Sequence, residues 1–141
     1  MRVASGSLFV ALSLLVAGQL FSVVDFGLAQ RLGLQEKSDE VDPLLGRLEW
    51  GTALWDVLVL WTLPVAGILM LLDHSWWAYV ALIGGGVYFD TGGREAVKIL
   101  VLHRHGVRVG GPGQLRLFMG TFVFLAAAGC LAVIVGLVEL I

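Results

Sequence analysis

The chain has 141 residues, of which 58% are hydrophobic and only 14% charged, and its formal net charge is −2 at pH 7. The length suffices for one domain, and a mean hydropathy of +0.90 is typical of a membrane protein rather than a soluble one. The slight acidity and the lack of a basic run give no basis for nucleic-acid binding. A single cysteine, Cys130, excludes an intrachain disulfide, a cysteine-based metal cluster and a dithiol redox pair.

The first predicted membrane span covers about 5–29, which is long enough to cross the hydrocarbon core of a bilayer. Its strongly polar groups are Gln19 and Asp25. Arg2 and the apolar run after it resemble a signal peptide, but we interpret the segment as a retained span. A polar, charged loop over about 30–47 follows.

The second predicted span covers about 48–72 and contains two acids on one face. Glu49 and Asp56 are seven residues apart, which is close to two full helical turns. Pro64 is expected to kink this helix, because proline has no backbone N–H to donate.

The third predicted span covers about 76–102 and is unusually polar. Its apolar part, 76–89, is too short to cross a bilayer alone, so the span must continue through its charges. These charges form two possible intrahelical ion pairs at spacings of four and three residues. The four residues are Asp90 with Arg94, and Glu95 with Lys98.

Small residues are expected to set how the third and fourth spans pack. Five glycines fall within 84–93, and Gly129, Ala132 and Gly136 recur at helical spacing in the fourth span, about 115–139. Small residues let membrane helices approach closely. For the third span, the alternative is a locally unwound segment whose freed backbone groups line a binding site.

The predicted fold class is all-α, an integral membrane antiparallel four-helix bundle, because backbone that crosses lipid must satisfy its own hydrogen bonds. The termini and the turn at 73–75 contain one basic residue, Arg2. The loops 30–47 and 103–114 and their flanks hold the others, namely Arg31, Lys37, Arg47, Arg94, Lys98, Arg104, Arg108 and Arg116. The positive-inside rule therefore predicts that both termini face outward and that both loops are cytoplasmic.

Depth along the helices predicts where the acids meet. With about 1.5 Å of rise per residue, Asp25, Asp56 and Asp90 all fall in the cytoplasmic half of the bilayer. Ionisable groups inside a membrane usually face a bundle interior or a watery cavity, so we predict a polar, carboxylate-rich pocket there. The alternative is that the charges neutralise one another and only fix helix register. The predicted ligand-binding residues are Asp25, Glu49, Trp55, Asp56, Tyr88, Asp90, Arg94, Glu95 and Lys98.

Three functions are compatible with such a pocket. The first is binding of a small molecule, cation or proton for transport or sensing, since carboxylates near tryptophans suit organic cations; one unit is small for a conduit, so a homodimer is expected. The second is a membrane-embedded isomerase, cyclase or transferase acting on an isoprenoid, sterol or quinone, with Asp56 and Asp90 as catalytic acid and base. The third is an accessory subunit of a membrane complex.

The sequence does not identify a cofactor, and whether a metal binds stays undecided at this stage. Asp56, Asp90, Glu95 and His103 are conceivable ligands, but the repeated Glu-x-x-His of di-iron bundles is missing from the sequence. Phosphate-loop, serine-hydrolase and zinc-protease motifs are also missing. The expected partners are the lipid bilayer and a small molecule or ion.

Overall fold

A computed structural model describes residues 2–32, 42–109 and 111–141. In these ranges the regular secondary structure is helical, without a strand, and the predicted all-α class is confirmed. The helices in chain order are α1 (Arg2–Ala11), α2 (Ser13–Val24), α3 (Phe26–Arg31), α4 (Pro43–Val59), α5 (Thr62–Leu71), α6 (Trp77–Arg104) and α7 (Pro112–Leu140).

Local sequence explains where several helices begin and end. Asp42 caps α4 by accepting a hydrogen bond from the Leu44 N–H at 2.9 Å, and Pro43 occupies the first turn, where its missing N–H costs nothing. Asp25 accepts from the Leu28 N–H at 2.9 Å and so starts α3. Asp25 separates α2 from α3, so the first predicted span is not one continuous helix.

Three helical segments are long and apolar enough to cross a membrane, and they indicate a membrane protein. They are Arg2–Leu20, Pro43–Leu71 and Gly113–Leu140. Helix α6 is also long, at 28 residues, but it is less apolar and is not among these three. A fourth span, and with it the four-helix membrane bundle, stays a prediction.

Helices α6 and α7 pack with their backbones nearly touching. A Cβ added at Gly85 would lie 2.8 Å from the Gly129 carbonyl oxygen, and one added at Gly136 would lie 3.0 Å from the Ala78 carbonyl oxygen. A Cβ at Gly92 would overlap the Phe122 carbonyl oxygen. Small residues thus permit close contact between α6 and α7 from Ala78 to Gly92, and the two helices run antiparallel.

Helix α6 is continuous through its glycines, from Trp77 to Arg104. Gly84 also contacts another helix, since an added Cβ would lie 2.9 Å from the Leu63 amide nitrogen. The continuous helix and these close contacts agree with the packing interpretation and not with local unwinding.

The first and second segments pack in the same manner. A Cβ added at Gly67 on α5 would lie 2.7 Å from the Gly6 carbonyl oxygen on α1. Helix α1 packs on α5, α2 packs on α4, and α5 packs on α6. The most deeply buried apolar core residues are Phe9, Leu63, Ala66, Ala81, Tyr88 and Ala132.

Polar contacts tie chain segments together at each end of the molecule. At one end, Arg2 pairs with Asp73 at 2.7 Å and with Glu139, which joins the start of α1, the α5–α6 turn and the end of α7. At the other end, the Asp42 N–H donates to the Arg108 carbonyl oxygen at 3.2 Å. The segments before α4 and before α7 therefore meet.

Neighbouring glycines on α6 offer a matched test of the helix contact. Gly92→Ala should lower the free energy of unfolding by about 1–3 kcal/mol, the usual cost of overpacking, because the new Cβ would strike the α7 backbone. Gly93→Ala places a Cβ where nothing in the described part of the chain lies within 4 Å, so it should be neutral or stabilising by up to about 1 kcal/mol. The measurement is denaturation of both variants in detergent, monitored by tryptophan fluorescence. Equal stability of the two variants would contradict the close packing of α6 on α7.

Candidate functional site

A cavity of about 240 Å³ lies between α2, α4, α6 and α7. Its walls are largely apolar and include Leu14, Leu15, Leu60, Leu117, Phe118, Phe122 and Leu125. Its polar lining consists of Gln19, Glu49, Thr52, Asp56, Thr91, Glu95 and Thr121. The combination of a few polar groups with apolar walls is typical of small-molecule sites.

Asp56 is the most buried acid at the cavity, with 2% of its surface exposed. Its Oδ1 atom has no hydrogen-bond partner among the residues that the structure describes. Burying a carboxylate without a partner is costly. Asp56 therefore brings to the cavity wall a buried oxygen atom without a hydrogen-bond partner in the described residues, which a cation, a proton or an N–H donor would satisfy.

Glu49 and Glu95 also line the cavity, but each has a basic partner. The Lys98 Nζ lies 2.7 Å from the Glu49 Oε1 and also forms an ion pair with the Glu95 Oε2. The Glu95 side chain is only 6% exposed, so this ammonium group compensates a charge that water barely reaches. The predicted Glu95–Lys98 pair is present.

Asp90 and Arg94 form the other predicted pair, at the outer surface of α6. The Arg94 Nε lies 3.8 Å from the Asp90 Oδ2 and 3.9 Å from the Glu95 Oε1. The Asp90 side chain is 73% exposed and that of Arg94 is 47% exposed. Neither residue is part of the cavity lining, although Arg94 approaches it through Glu95.

Two further predicted residues lie away from the cavity. Asp25 is exposed and caps α3, and Trp55 is 57% exposed on α4. Helical rotation explains Trp55, because it lies 100° around the helix from Asp56, which faces inward.

Tyr88 is fully buried and has a structural contact instead of a place in the cavity lining. Its hydroxyl donates to the Leu60 carbonyl oxygen at 2.8 Å. In a continuous helix, the residue four positions later would donate to that oxygen, but here this residue is Pro64. The Tyr88 hydroxyl thus replaces the hydrogen bond that Pro64 cannot make, at the break between α4 and α5.

Sequence reasoning that followed charge alone missed the hydroxyl groups and the α7 wall of the cavity. Thr52 and Thr91 each lie four residues before a cavity acid, Asp56 and Glu95 respectively. That spacing puts each threonine on the same helix face as its acid, so it was a usable signal. The part played by Phe118 had no such signal, because the nearest charge on α7, Arg116, is two residues away and so not on the same helix face.

The conceivable metal ligands do not converge. Within residues 2–32, 42–109 and 111–141, no group of three or more His, Cys, Asp or Glu side chains could hold a metal ion.

Comparison with known proteins adds no assignment. No protein-family model matches the chain, and no curated protein or solved structure matches it either. Its function must therefore be argued from its own residues.

The role of Tyr88 can be tested by a double-mutant cycle. Tyr88→Phe should lower the free energy of unfolding by about 1–3 kcal/mol, because it leaves the buried Leu60 carbonyl unpaired. In a Pro64→Ala background the same change should cost clearly less, since residue 64 then has an N–H that can donate to Leu60. Tyr79→Phe, at an exposed tyrosine of the same helix, is the control. Equal costs in both backgrounds, measured by unfolding in mixed micelles, would contradict this role.

Proposed function

We propose that the chain is an integral membrane protein with four antiparallel spans. In this proposal α6 is the fourth span, which length and composition alone do not identify. Helix α6 is 28 residues long, or about 42 Å, and it packs on α7 from Ala78 to Gly92. Its buried acid, Glu95, forms an ion pair with Lys98. This arrangement is the one expected of ionisable groups within a membrane.

The proposed orientation places both termini outside and the loops 30–47 and 103–114 on the cytoplasmic side. The distribution of lysine and arginine supports it. The contact between Asp42 and Arg108 supports a shared side for the two loops. The cavity then belongs to the cytoplasmic half, since Glu49 is close to the start of α4.

We propose that this cavity binds a small amphipathic amine or a proton, for transport or sensing. The single observation that carries the proposal is Asp56, a residue of the cavity lining whose buried Oδ1 has no hydrogen-bond partner in the described part of the chain. A protonated amine supplies both a positive charge and N–H donors to that oxygen. Apolar walls formed by residues such as Leu60 and Phe122 would hold its hydrocarbon part. Transport through so small a unit would call for a homodimer.

A second candidate function is favoured by the same apolar walls. Asp56 at the end of an apolar cavity could act as the general acid or base of an enzyme that acts on a lipid-soluble substrate. Such an enzyme would bind neutral apolar molecules as well as amines. The two functions therefore differ in how binding depends on the charge of the ligand.

Binding of pentylamine by the purified protein in lipid nanodiscs tests the amine proposal. Pentylamine, which is protonated at pH 7, should bind more tightly than pentan-1-ol, a neutral molecule of the same length. Asp56→Asn should weaken pentylamine binding by at least about tenfold, because a hydrogen bond to a charged group contributes roughly 1.5–3 kcal/mol. The measurement is equilibrium dialysis with labelled ligand, with protein-free nanodiscs as the blank.

Asp73→Asn is the matched control for this experiment. Asp73 lies roughly 25 Å along the helices from Asp56, pairs with Arg2, and has a positive φ of 51° that asparagine tolerates. Its replacement should leave pentylamine binding within twofold. Equal loss in both variants, or no loss at Asp56, would count against the proposal. Equal binding of pentylamine and pentan-1-ol would favour the enzyme.

The orientation is testable because the chain has one cysteine. In a Cys130→Ser background, Ser75→Cys should react with a membrane-impermeant maleimide on intact cells, whereas His105→Cys should react only after permeabilisation. Both positions are exposed in the structure. The reverse labelling pattern would invert the orientation, and labelling of both in intact cells would contradict the four-span topology.

A further inference from the structure

The three acids of the cavity differ in how their charges are compensated. Glu49 and Glu95 share one ammonium group, that of Lys98. Arg94 adds a more distant contact with Glu95, at 3.9 Å, and also faces Asp90. Asp56 alone among the three cavity acids has a fully buried oxygen with no hydrogen-bond partner in the described residues.

Lys98 is itself outside the cavity lining, although its two partners are part of it. Its side chain is 25% exposed, against 19% for Glu49 and 6% for Glu95. The ammonium group nevertheless pairs with two carboxylates of the cavity lining. It neutralises negative charge that would otherwise attract a second cationic group in the cavity.

We propose that Lys98 is a built-in counter-cation that restricts the cavity to one monovalent cation, and that without it the cavity takes a dication. This inference rests on the proposed binding of amines and adds to it the charge class of the ligand. A first ammonium group pairs with Asp56. A second one would have to compete with Lys98, which is covalently part of the chain and already in place.

The spacing of the acids suits a short diamine once Lys98 is removed. Glu49 and Asp56 lie two turns apart on α4, or about 10.5 Å along the axis. Extended 1,5-diaminopentane reaches from one acid toward the other. It has the same carbon chain as pentylamine, so the two probes differ only in the second ammonium group.

The experiment compares these two probes on variants of Lys98 in nanodiscs. The unmodified protein should bind 1,5-diaminopentane no more tightly than pentylamine. Lys98→Met should raise the affinity for the diamine, relative to pentylamine, by at least tenfold. Lys98→Arg, which keeps the positive charge, should retain the original preference.

A second variant separates a specific effect from general loosening of the protein. In the double variant Glu49→Gln with Lys98→Met, Glu95 still faces Arg94 and Glu49 no longer carries a charge. This variant should therefore lose most of the increase in diamine affinity that Lys98→Met produces. Lys98→Gln, which keeps hydrogen-bond donors for both glutamates, should give the same gain as Lys98→Met and replaces it if that variant does not fold.

The possible outcomes are distinct. The role of Lys98 would be overturned if the unmodified protein bound the diamine more tightly than pentylamine. It would also be overturned if neither Lys98→Met nor Lys98→Gln raised the affinity for the diamine, even if pentylamine binds well. A diamine gain that persists in the Glu49→Gln double variant would also overturn it. Absence of pentylamine binding by the unmodified protein would instead count against the proposed function, whatever the variants do.

Discussion

The close contact of α6 with α7 is the constraint on which the site depends. With Gly85 and Gly92 turned toward the α7 backbone, the rotation of α6 about its axis is fixed. Tyr88 and Glu95 then lie on the adjacent face, roughly 40–60° from Gly92 at 100° per residue, and they meet α4 and α5. Side chains larger than hydrogen at the glycines would separate the helices, and the acid–base contacts across the interior would lengthen.

Within this helix packing, the buried carboxylates of the cavity differ in how well basic groups compensate them. Lys98 compensates Glu49 and Glu95 through direct ion pairs, which is how natural proteins usually make buried acids tolerable. Asp56 is left with an oxygen that has no hydrogen-bond partner in the described residues. A protein selected for stability alone would gain by replacing Asp56 with an apolar residue, so its presence at a cavity supports a role in binding.

The sequence was informative where distance along one helix decides the outcome. The seven-residue spacing of Glu49 and Asp56 puts both in the cavity lining, and the spacing of Glu95 and Lys98 gives the ion pair. The sequence was less informative about which way each helix is rotated about its own axis. Asp90 and Glu95 lie only five residues apart, but they point about 140° from each other, and only Glu95 faces the cavity. Depth in the bilayer cannot distinguish these two acids, whereas the packing of the glycines on α7 does. Tyr88 shows a second limit, since its partner is a carbonyl group on another helix.

The hydrogen bond between Tyr88 and Leu60 has a mechanical consequence. The α4–α5 joint lacks one of its own backbone bonds, and a side chain from another helix supplies the replacement. The α4–α5 junction is therefore held in part from outside its own segment. Because Leu60 also forms part of the cavity wall, the same hydrogen bond ties that wall to α6. A displacement of α6 that broke this bond would leave the Leu60 carbonyl unpaired at the cavity.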